Sequence, residues 1–71
     1  MLKRSITVAG HRTSITMEEP FWTACKTIAK QRGCSINQLV TEIDEKRDIS
    51  TNLSSAVRIY ILNYFRSISA A

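Results

Sequence analysis

A mostly α-helical fold with a short β segment at its N-terminus is what this sequence predicts, and three observations carry it. Polar and apolar residues alternate up to Met17, apolar residues recur at helical spacing from Pro20 onwards, and a glycine and capping signals divide the helical part. The 71 residues suit a single domain, 1–71. A chain of this size buries only about 60% of its unfolded surface, so self-association is expected.

Ser5 to Val8 alternates, with Ile6 and Val8 on the apolar side. Arg12 to Met17 does the same, with Thr13, Ile15 and Met17 opposite Arg12, Ser14 and Thr16. Both read as short strands, and Ala9, Gly10 and His11 lie between them, where the glycine can take a positive φ. Residues 1–11 form either a basic N-terminal arm or an extra strand. Residues 12–48 hold a strand and two helices, and 49–71 a third helix and a tail.

The first helix starts around Pro20, whose missing N–H has no partner in a first turn, and Glu18 and Glu19 complement the positive end of the dipole. Its apolar stripe is Phe21, Trp22, Cys25, Ile28 and Ala29, and Gly33 ends it. Ser35-Ile36-Asn37-Gln38 matches a capping box and opens a second helix with Ile36, Leu39, Val40 and Ile43 on one side. That helix runs out in Asp44 to Asp48. A third starts near Leu53, capped by Thr51 or Asn52, with Leu53, Val57, Tyr60, Ile61 and Tyr64 inward, and Ser67 to Ala71 read as a frayed tail. No internal repeat, linker or low-complexity segment stands out.

The chemistry inventory argues against an enzyme. The one histidine, His11, and two cysteines nine residues apart, Cys25 and Cys34, make no metal site, and the cysteines read as small, reduced hydrophobes. No Ser/His/Asp set or phosphate loop can be assembled, and no cofactor is implied. The apolar run Val57 to Phe65 falls far short of the roughly 20 residues that span a bilayer. Lys3 and Arg4 precede an alternating stretch rather than the apolar core of a signal peptide, so the expected location is the cytoplasm.

Charge is unevenly spread. Residues 1–32 carry six Lys and Arg against two Glu, whereas 33–71 carry four bases and four acids, so the net +4 belongs to the first half. Such a surface either attracts a polyanion or simply keeps the protein solvated, and charge alone favours the second. A single edge strand also needs a mate. The economical arrangement is a two-fold homodimer in which the strand of each chain pairs antiparallel with its copy over a helical floor. The pleat then turns Ile15 and Met17 to the floor and Arg12, Ser14 and Thr16 outward.

Arg12-Thr13-Ser14-Ile15-Thr16-Met17, the helix from Pro20, Gly33-Cys34-Ser35 and the apolar second helix together resemble the ribbon-helix-helix DNA-binding domains over about Arg12 to Ile43. The stretch Gly10 to Ile15, with the strand before it, is similar to small bacterial members that carry an additional C-terminal helix. The resemblance implies an intertwined homodimer that regulates transcription by setting its paired strands in the major groove of double-stranded DNA. It implies base contacts from Arg12, Ser14 and Thr16, and phosphate contacts from Ser35, Ile36 and Asn37 at the start of the second helix. Lys3 and Arg4 would lie along flanking phosphates. Ile15, Met17, Trp22, Ile28, Ile36, Leu39 and Ile43 would form the core and dimer contacts. The competing reading is a protein-interaction or dimerisation module on the same fold, in which the third helix receives a partner.

Overall fold

Two strands, β1 (Leu2–Val8) and β2 (His11–Met17), precede three helices, α1 (Glu19–Arg32), α2 (Ile36–Lys46) and α3 (Leu53–Ser69), in a computed structural model that describes residues 2–69. The strands form an antiparallel hairpin in which Val8 faces His11, Ser5 faces Ser14 and Lys3 faces Thr16. Its two-residue loop, Ala9-Gly10, has φ of 52° and 82°, the pair of positive values that a type I′ turn demands. Gly10 takes this backbone freely. Ala9 does so against the clash of its Cβ, which is why the loop does not announce itself in the sequence.

This hairpin decides between the two expectations for residues 1–11: Leu2 to Gly10 form a strand and its turn, not a free arm, and Met1 lies outside the described residues. Within the chain β2 also finds a mate, pairing along one edge with β1. Thr13 departs from its expected inward role. β1 packs on α2 while the turn end of β2 overhangs the helices, so His11 to Ser14 are all exposed and only Ile15 and Met17 of β2 are buried.

The helices begin and end as their local chemistry dictates. Glu19 and Pro20 occupy the first turn of α1, and Gly33, at φ 71°, closes it with its N–H on the carbonyls of Ala29 and Lys30. At α2 the capping box is complete: Ser35 Oγ accepts from the Gln38 N–H at 3.1 Å, and Gln38 Oε1 accepts from the Ser35 N–H at 2.8 Å. Asn52, one of the two expected caps, accepts from the Ser55 N–H at 2.9 Å and opens α3. α3 continues to Ser69, so Ser67 to Ser69 are helical rather than frayed, and Ala70 and Ala71 lie outside the described residues.

The core is a single layer between ribbon and helices. Ile6, Val8, Ile15 and Met17 meet Cys25, Ile28 and Ala29 of α1, Leu39, Val40 and Ile43 of α2, and Ala56, Val57 and Ile61 of α3. Trp22, Ile36, Leu53, Tyr60 and Tyr64 border it, half-buried. Fully burying one such side chain is worth about 1.5–3 kcal/mol, so this cluster dominates what holds the chain folded. Cys25 is a core residue; burial, reinforced by Cys34, pushes its thiol pKa up to about 11. No helix among the described residues is long and apolar enough to cross a membrane, and no cluster of metal-ligating side chains occurs among them.

Candidate nucleic-acid interface

The side of the ribbon that faces away from the core is built by the pleat alone. Arg4, Ile6 and Val8 of β1 and Ile15 and Met17 of β2 lie on the helical side, which leaves Lys3, Ser5 and Thr7 beside Thr16, Ser14 and Arg12, respectively, on the outer side. Lys3, Ser5, Arg12, Ser14 and Thr16 are exposed and Thr7 is half-buried. Arg12, Ser14 and Thr16 lie outward as their alternation predicts, and Ser5 and Thr7, which the sequence did not single out, share their side of the ribbon. The tripeptide Ser-Ile-Thr, present at both 5–7 and 14–16, was the available signal.

Helices hold the ribbon at both edges. On the β1 side the N–H of Thr7 donates to Asn37 Oδ1 at 3.1 Å and that of Ala9 to Thr41 Oγ1 at 3.3 Å. On the β2 side the N–H of Thr16 donates to Ser54 Oγ at 3.3 Å, and Arg58 Nη2 donates to the Thr16 carbonyl at 3.0 Å. Arg58 also bonds Glu18 through Nε at 3.0 Å and lies over the ring of Phe21. Glu18 is thereby held below the usual carboxylate range, first by a backbone hydrogen bond and then by Arg58. Two unpaired strand edges are in this way partly satisfied by side chains, which limits further strand addition.

The cations divide into paired and unpaired sets. Arg4, Arg32, Arg47 and Arg58 each lie within 3 Å of a carboxylate, on Glu19, Glu42, Asp44 and Glu18. Among the described residues the side chains of Lys3 and Arg12 have no such partner, so both ends of the outer ribbon face present an uncommitted positive charge. Arg4 does not: it points to the helical side, 2.7 Å from Glu19 and over the Trp22 ring, so a phosphate contact would have to compete with that pair. At the start of α2 the capping box has already used the N–H of Ser35. The amides of Ile36 and Asn37 remain as first-turn donors without an intrahelical acceptor.

A two-stranded ribbon, with strands about 4.8 Å apart, fits a major groove about 12 Å wide. A family model described as a ribbon-helix-helix domain matches residues 1–65, nearly the whole chain. The chain belongs to the ribbon-helix-helix family. No curated protein and no solved structure matches it significantly. Ribbon-helix-helix domains generally bind DNA as transcription regulators. The match begins at residue 1, so it takes in β1 together with the ribbon-helix-helix core that the sequence outlined from Arg12.

Proposed function

We propose that this protein is a sequence-specific DNA-binding transcription regulator of the cytoplasm, acting without a cofactor, whose ribbon enters the major groove with its outer face towards the bases. The observation that carries this reading is Arg12: an exposed, unpaired guanidinium on the outer face of a two-stranded ribbon, followed on the same face by two hydroxyls. Arg12 can donate two hydrogen bonds to guanine O6 and N7, and Ser14 and Thr16 can donate to or accept from neighbouring base edges. The amides of Ile36 and Asn37, positioned by the Ser35 cap, and Lys3 supply phosphate contacts that set the register without reading sequence. The test is selection from random duplexes followed by mobility shift. A selected motif that Arg12→Ala erases supports the reading; binding with no preferred sequence rejects it.

Homodimer formation belongs to the same proposal, with a changed interface. The α3 residues expected inward are in or against the core, yet the helix has a second apolar strip: Ile59, Leu62 and Phe65 are 53%, 54% and 38% exposed. A second copy, or in the competing module reading another protein, would cover this strip. Leu62→Glu should then abolish concentration-dependent sedimentation while leaving the helical content unchanged.

A further inference from the structure

The two strands of the hairpin are near-copies of one another. Lys3-Arg4-Ser5-Ile6-Thr7 and Arg12-Thr13-Ser14-Ile15-Thr16 share a basic first residue and the same last three, nine positions apart. A repeat of five residues is too short to stand out in a chain read without its pairing. The register makes it meaningful, because Lys3 faces Thr16, Ser5 faces Ser14 and Thr7 faces Arg12. An antiparallel pair in which each residue lies opposite the counterpart of its own mirror position has a local two-fold axis, here passing between Ser5 and Ser14. The inner face obeys the same axis: Ile6 and Ile15 are equivalent and both buried, as are Val8 and Met17.

We propose that one chain carries a complete, pseudo-two-fold DNA reader, with Lys3, Ser5 and Thr7 of β1 contacting base edges as the counterparts of Arg12, Ser14 and Thr16. This rests on the DNA-binding reading and reassigns Lys3 from phosphates to bases. The four residue steps from Lys3 to Thr7 span about 14 Å along the ribbon, which matches about four base-pair steps at 3.4 Å. The two cations stand at opposite ends of opposite strands, so each meets a different end of that core. Lysine, like arginine, can donate to guanine O6 and N7, and the hydroxyl pair at the axis meets the centre. The two strands depart from symmetry at Lys3 against Arg12 on the outer face and at Arg4 against Thr13 on the inner one. The preferred site is therefore a near-palindrome of four to five base pairs whose two ends differ in strength.

Selection from random duplexes, run with the full chain and three variants, tests this. The expected result is a near-palindromic core whose preference falls about tenfold at one end in Arg12→Ala and at the opposite end in Lys3→Ala, each with an unchanged melting temperature. Lys3→Arg should make the two ends equal, which neither a phosphate contact nor a structural role would do. If Arg12→Ala changes the selected sequence while Lys3→Ala and Lys3→Arg leave it unchanged, β1 is no reader and the inference falls while the DNA-binding reading stands. If the unmodified chain selects nothing, the DNA-binding reading fails with it.

Discussion

The two faces of the ribbon are made by the same fourteen residues and share almost nothing in chemistry. Inward, Ile6, Val8, Ile15 and Met17 are at most 7% exposed and belong to the same buried cluster as the helices' core residues; outward, Lys3, Ser5, Arg12, Ser14 and Thr16 are exposed. Period-two geometry lets stability and recognition be carried by alternate residues of one segment, each free to change without the other. The difference can be attacked from either side.

Ile15→Asp should do most damage. It places a carboxylate without a partner in the driest part of the layer, a cost on the order of 4 kcal/mol or more against a total stability of ~5 kcal/mol for so small a domain. Circular dichroism should show loss of the folded state, and retained helicity would mean that this face is wet. The dryness can also be read through Cys25 beneath the ribbon. Its thiol is raised in the folded chain to about 11 from 9, so the folded state holds the proton longer than the unfolded one and stability drops as pH climbs between those values. The loss, roughly 2 kcal/mol by pH 11, should shrink in Cys25→Ala melts over the same range.

On the outer side, Arg12→Ala should leave the melting temperature where it is and cost about 1–3 kcal/mol of discrimination at the chosen DNA site. A large drop in stability instead would show that the outer face also holds the fold. The turn joining the strands offers a smaller effect in the other direction. Asn tolerates the left-handed backbone of Ala9 better than alanine, so Ala9→Asn should raise stability by about 0.5–1 kcal/mol, a few degrees in a thermal melt, with DNA preference unchanged. Arg4→Ala should matter least. Its pair with Glu19 is solvent-facing and its buried Nε has no partner, so the change should stay below about 1 kcal/mol by denaturant titration.

What could be read in the sequence was what local chemistry decides. Gly33 and the Ser35–Gln38 box mark their helix ends by hydrogen bonds made within four residues, Pro20 marks its own by the N–H it lacks, and the structure has all three. The outward position of Arg12, Ser14 and Thr16 followed from the pleat. Pairing did not, because Ala9 at positive φ is not a turn signal and nothing local distinguishes a strand that pairs at home from one that pairs abroad. The overhang of Thr13 and the second apolar strip of α3 were equally hidden. Both depend on where α3 docks, and that is fixed by contacts between residues about 40 positions apart.

Arg58 is the clearest of those long contacts, and it gives folding an order. The hairpin, α1 and the α1–α2 corner close through short loops, whereas joining Arg58 to Thr16 and Glu18 closes a loop of about 40 residues, with an entropic cost that rises with its length. On that route the arrival of α3 locks the strand end against α1, because Arg58 holds both the Thr16 carbonyl and Glu18. Unfolding reverses the sequence, so amide hydrogens near Thr16 should exchange together with those of α3 rather than with those of the turn.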